Sequence, residues 1–263
     1  VVLELLQITA LAYLTAGLAA AGGLALARPP LVRAGVLVLA GAALLHALGF
    51  SLLHTAEPTP PLTDAPTAIS FMAWVGTLGF LLLLVRFRVA GLVALVAPLA
   101  FVSVFYASLR LPHAAPAEVG AGSVPHAHVL LASAGLALLG LAGLAGALFL
   151  VEHRRLKHKR PLATGSPLPS LEALDRVNAV ALAIGFPLLT TGVVTGALWG
   201  QQMHGVPWSG TPHEIWCLLA WAVYAVLVAL RFGVNLGARR CAASAAVGFL
   251  FASFAVIGVE FLA

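Results

Sequence analysis

The sequence predicts an all-α, polytopic membrane helical bundle of about eight transmembrane helices with both termini external, folded as a single integral-membrane domain over residues 1–263. Three observations carry this expectation. Hydrophobic residues make up 61% of the chain and charged residues only 9%, with mean hydropathy +1.04, a composition outside the range of soluble domains. The apolar residues fall into runs of the ~20 residues needed to cross a hydrocarbon core about 30 Å thick. The basic residues gather in alternate connections between those runs.

Eight runs qualify, at about 4–27, 33–54, 67–86, 89–109, 127–151, 174–198, 214–232 and 241–262. The first closes at Pro29-Pro30, and the second at the proline-rich stretch from Pro58 to Pro66. Arg86 and Arg88 separate the third from the fourth; Pro112 to Pro125 separates the fourth from the fifth. A long basic segment, beginning HRRLKHKR at 153–160, follows the fifth. The sixth and seventh are joined by a polar segment, the seventh and eighth by a short one containing Arg239 and Arg240. Nothing alternates with a period of two, and backbone polar groups left unpaired in lipid are too costly, so the runs are expected to be helices. No charged n-region precedes the first run, which is expected to be a span rather than a cleaved signal.

Lys and Arg orient the bundle. With eight spans, thirteen of the fourteen fall on one side and only Arg110 on the other. That side is expected to be the cytoplasm. The net charge of +5 then reflects topology and anionic headgroups, not nucleic acid. Localisation follows as multi-pass in a bacterial inner (cytoplasmic) membrane. Cys217 and Cys241 lie at opposite ends of neighbouring spans, too far apart for a disulfide. There is no CxxC or CxxCH, which excludes thiol chemistry by a cysteine pair and covalent haem attachment.

The most polar and aromatic passage is WGQQMHGVPWSGTPHEIWCLLAW, from Trp199 to Trp221. Trp199, His204, Trp208, His213, Glu214 and Trp216 fall within 18 residues between two apolar runs. It is expected to form a tryptophan-rich external loop over about 199–213. Glu214 suits a general base, but an acidic cap at the start of the seventh span is simpler. No nucleophile–base set points to an enzyme.

Seven of the nine histidines, namely His46, His54, His113, His126, His128, His204 and His213, fall in or near the outer half of the membrane. Imidazole ligates metal and haem iron, though a lone membrane histidine more often bonds helix to helix. His46 is too deep to snorkel, which makes it a functional candidate by default. His126 and His128 point to roughly opposite faces of their helix. Gly192, Gly196 and Gly200, spaced by four, offer a face for close packing or for a flat cofactor. Pro98 and Pro187 sit inside spans as candidate kinks.

These motifs together resemble the CcsA/HemX-type cytochrome c assembly family. That family's loop reads WG, a short gap, then WxWDPKE, a residue, and W, before a helix with WLxYA. Trp199-Gly200, Trp208, Pro212, Glu214 and Trp216 match it, followed by Trp221-Ala222-Val223-Tyr224-Ala225. Upstream, PLTDAPTAISFMAW at 61–74 is similar to the family's PLSNLYESLxFLxW, and His128-Val129 to its HV at the start of a span. The segment 170–196 resembles its Leu-x-x-Leu lead into a glycine-bearing helix. The departures are Gly210 and Thr211 in place of Trp and Asp, His213 in place of Lys, a longer gap bringing His204, and Ala229 where the family often has histidine.

The resemblance implies non-covalent, b-type haem held at the outer face. His128 would be an axial iron ligand and His46 a candidate membrane ligand. His204 or His213 would supply the opposing position, with Trp199, Trp208, Trp216 and Glu214 as further contacts. It implies other cytochrome c maturation proteins as partners beside the lipid bilayer. An accessory subunit of a respiratory or photosynthetic redox complex is the alternative. A small-molecule transporter is disfavoured, because no broken-helix pair is evident and the spans carry almost no acidic residues at mid-depth apart from Glu260.

Overall fold

The computed structural model describes residues 2–55, 62, 64–110, 123–158, 168–234 and 236–262, with side chains up to residue 255 of the last segment. His113, Lys159, Arg160 and the side chain of Glu260 lie outside the described residues. Among these residues there is no strand. The helices are α1 (Val2–Ala25), α2 (Pro29–His54), α3 (Ala65–Arg86), α4 (Val93–Arg110, entered through a single 3₁₀ turn), α5 (Ser123–Lys157), α6 (Leu171–His204), α7 (Pro212–Phe232) and α8 (Ala238–Leu262). Seven of them, α1 to α7, are long and apolar enough to cross a membrane. The protein is a multi-pass helical membrane protein.

Two helices overrun the expected spans. α5 has 35 residues and α6 has 34, each ~50 Å long at about 1.5 Å per residue, against a hydrocarbon core of about 30 Å. The tryptophan-rich segment is therefore a loop only over 205–211, and Trp199 and His204 stand on the last turns of α6. The physical reason is local. Gln201, Gln202 and Met203 are good helix formers, and nothing breaks the helix before Gly205. Gly205 takes φ +73°, and its N–H returns to the Gln201 carbonyl at 3.1 Å, a left-handed stop that glycine adopts without strain. α4 and α6 run on through Pro98 and Pro187.

The helices group into two compact units. The first contains α1 to α4, and small residues set its spacing. Gly35 faces the Ala16 carbonyl and Ala20, and Gly17 faces the ring of Pro98. Tyr13, Leu39, Phe80 and Val93 are fully buried there.

The second unit contains α5 up to Arg154, with α6 from Leu174, α7 and α8. Its core joins Leu139, Ala142, Ala181, Leu182, Leu189, Tyr224 and Ala252. Gly135 of α5 packs on Leu189 and Gly185 of α6, and Gly146 packs on Ala242 of α8. Asn178 donates to the Ala142 carbonyl at 2.8 Å, and Trp221 Nε1 donates to Thr190 Oγ1 at 3.0 Å. Arg231 of α7 pairs with Asp175 of α6 at 2.7 Å.

Candidate functional site

One end of the second unit is formed by the start of α5, the end of α6 and the start of α7. On α6, Gly192, Gly196 and Trp199 stand at i, i+4 and i+7, one face of the helix. His128 of α5 meets that face. Its Nδ1 lies 2.8 Å from the Gly192 carbonyl oxygen. An ideal Cβ at Gly196 would fall 2.8 Å from Cε1 and 2.9 Å from Nδ1 of the same ring. The imidazole thus occupies space a side chain at 196 would fill. The indole of Trp199 is 6.0 Å away between centroids, tilted by 37°. His126 is exposed on the other side of α5. Gly192 also packs on the backbone of Ala132, and Gly200 lies under the carbonyls of Val206 and Pro207.

The loop folds around Glu214. Its carboxylate accepts from the backbone N–H of Ser209 at 2.9 Å, Gly210 at 2.7 Å and Thr211 at 3.1 Å, and from Ser209 Oγ at 2.9 Å. The Thr211 hydroxyl accepts in return from the Glu214 N–H at 3.3 Å, which closes a capping box at the start of α7. Gly210, at φ +75°, makes the turn that brings these donors together. Glu214 shapes the loop from within.

The other loop residues separate. Trp208 stays 41% exposed, which leaves indole surface open at this end. Trp216 turns into the bundle and packs on Phe251 and Phe254 of α8, at centroid distances of 5.9 and 5.4 Å. His213 is exposed and its Nε2 lies 3.5 Å from Cys217 Sγ, one turn along α7. His204 is exposed at the end of α6. Cys217, unremarkable in the sequence, gains interest only through this neighbour, four residues away on a helix.

His46 belongs to the first unit, where it is fully buried. Tyr13 Oη is 3.2 Å from its Nδ1 and Ser70 Oγ 2.9 Å from its Nε2. Phe50 stacks on it at 4.9 Å, with Phe71 and Trp74 beyond. Both ring nitrogens are engaged, so His46 ties α1, α2 and α3 together. Sequence reasoning missed Tyr13, which carries no local signal, and noted Ser70 and Trp74 only as parts of a motif.

The arrangement defines a class: a polytopic membrane protein in which a histidine and a tryptophan from two long helices meet near one end of a bundle. The chain belongs to the cytochrome c assembly protein family, whose model matches residues 62–263. It is similar to the cytochrome c biogenesis protein CcsA of Prochlorococcus marinus strain MIT 9215, with 26% identity over 226 residues, covering 77% of this chain and 73% of that one. The protein of that name from Guillardia theta is 28% identical over 222 residues, covering 77% and 74%. The one from Chlamydomonas reinhardtii is 29% identical over 215 residues; the match covers 77% of this chain and 58% of that relative. The family match begins at residue 62, so α1 and α2, with His46, precede it.

Proposed function

We propose that this chain holds haem non-covalently, as b-type haem, at the outer face of a bacterial cytoplasmic membrane and handles it for cytochrome c assembly. The observation that carries this reading is the placement of His128 against Gly192, Gly196 and Trp199. Among the described residues no group of three or more His, Cys, Asp or Glu could cage a metal ion. A single histidine such as His128 would suit haem, whose porphyrin supplies most of the iron's ligands itself.

In this reading His128 would hold the haem iron. Trp199 and the exposed Trp208 offer indole faces, which gain dispersion and apolar burial against a flat ring. His204 and His213 would be the further candidates to hold it, and His213 would have to part from Cys217 to serve. Glu214 holds the loop that carries Trp208, and Trp216 braces α7 against α8. His46, with both nitrogens engaged, is assigned to helix packing. Partners that fit are other cytochrome c maturation proteins or subunits of a redox complex in the same bilayer.

The test is the visible spectrum of the purified protein in mild detergent after haem supply, followed by acid–organic extraction. A Soret band whose pigment extracts fully supports non-covalent haem. No Soret band, or haem that stays on the polypeptide, contradicts the reading.

A further inference from the structure

We propose that Gly192 and Gly196 are positioning residues for His128: together they seat its ring and fix its proton on Nδ1, which makes Nε2 the nitrogen with the available lone pair. The consequence for iron rests on the haem reading above, but the seat itself is a property of the ligand-free protein.

An amide oxygen only accepts hydrogen bonds, so Nδ1, 2.8 Å from the Gly192 oxygen, must carry a hydrogen and donate it. A neutral imidazole has one N–H, and its other nitrogen, here Nε2, then holds the lone pair. Histidines that ligate metals as a rule donate their second ring N–H to a carbonyl or carboxylate, which fixes the tautomer and raises the basicity of the ligating nitrogen. His128 already makes that bond without any metal.

The bond requires glycine at both α6 positions, for different reasons. At 192, a Cβ would lie 2.8 Å from both the Cα and the N of Ala132 on α5. These are backbone atoms that cannot swing aside, so Gly192 sets the helix spacing that puts its carbonyl within reach of α5. At 196, a Cβ would lie 2.8 Å from Cε1 and 2.9 Å from Nδ1 of His128. The helices could stay together there, but the ring would have to shift away from the Gly192 carbonyl. Packing alone explains Gly192; it does not explain why the space beside Gly196 is filled by a histidine with a fixed donor. Trp199, one turn on, closes the side of the seat.

The experiment uses the full chain in detergent or nanodiscs, labelled with ¹⁵N-histidine and free of haem. The signal of His128 is the one lost in His128→Ala. At neutral pH the wild type is expected to show His128 protonated on Nδ1. Gly196→Ala should move the ring toward the Nε2–H form. Gly41→Ala, the same change where no atom lies within 4 Å, should leave it alone. After haem loading, Gly196→Ala should release haem about tenfold to a hundredfold faster, the usual effect of losing a supporting bond behind a ligating histidine. If Gly196→Ala does not fold, the wild-type tautomer decides. A wild type that takes up no haem removes the proposed function, while the ligand-free spectrum still judges the seat. His128 protonated on Nε2 in the wild type, or a tautomer unmoved by Gly196→Ala, overturns the inference.

Discussion

The indole of Trp199 and the imidazole of His128 meet at 6.0 Å across the α5–α6 contact, and the meeting depends on α6 outlasting the expected span. A helix that ended at residue 198 would leave Trp199 in a loop without a fixed direction. Because α6 continues to His204, Trp199 stays on the face of Gly192 and Gly196 and is held beside the histidine. Helix length is thus the link between this sequence and the arrangement of the site.

The first prediction concerns Glu214. Its carboxylate collects the N–H groups of Ser209, Gly210 and Thr211. Glu214→Ala removes the clamp and half of the capping box, at a cost of about 1 kcal/mol, the usual value of a helix cap. Hydrogen exchange at those three amides should speed up. Unchanged exchange there would show that the loop keeps its shape by other means.

A second prediction separates packing from ligation at His46. His46→Ala leaves Tyr13 and Ser70 without their buried partner and opens a cavity, which should cost about 2–4 kcal/mol. Unfolding in micelles should begin at clearly lower denaturant, while the spectrum of loaded haem keeps its band positions. Normal stability with a changed spectrum would restore His46 as an iron ligand.

The third prediction is topology. In a background lacking Cys217 and Cys241, Thr164→Cys should react with impermeant reagents only from the cytoplasmic side and Ser209→Cys only from the opposite side, as the expectation that basic residues face the cytoplasm requires. Labelling of both from one side would remove the eight-span arrangement. Thr164 itself lies outside the described residues.

The spans were legible because crossing lipid demands a composition nothing else in the chain imitates. The cap at α7 was legible in part: Glu214 stands at the head of an apolar run, where its charge suits a helix N-terminus, whereas its capping-box partner Thr211 was not singled out. The extent of α6 was not: Gln201, Gln202 and His204 suggest a polar loop, yet glutamine and the intervening Met203 are good helix formers. The surroundings of His46 were hidden because its partners, Tyr13 and Ser70, lie 33 and 24 residues away and are joined only by packing. Trp216 was paired with the loop by its position in a motif, whereas Phe251 and Phe254 on α8 take its ring. Gly196 was visible as part of a small-residue face, but no pattern along the chain told that His128 would fill the space beside it.

The most direct test of the central claim compares His128→Ala with His126→Ala in purified, haem-supplied protein. The two histidines are two residues apart and face opposite ways, one against Gly192 and Trp199, the other exposed. His128→Ala is expected to lose most of the haem or shift its Soret band, while His126→Ala matches the wild type in haem content and spectrum. Full haem with an unshifted band in His128→Ala, or the larger effect in His126→Ala, would contradict it.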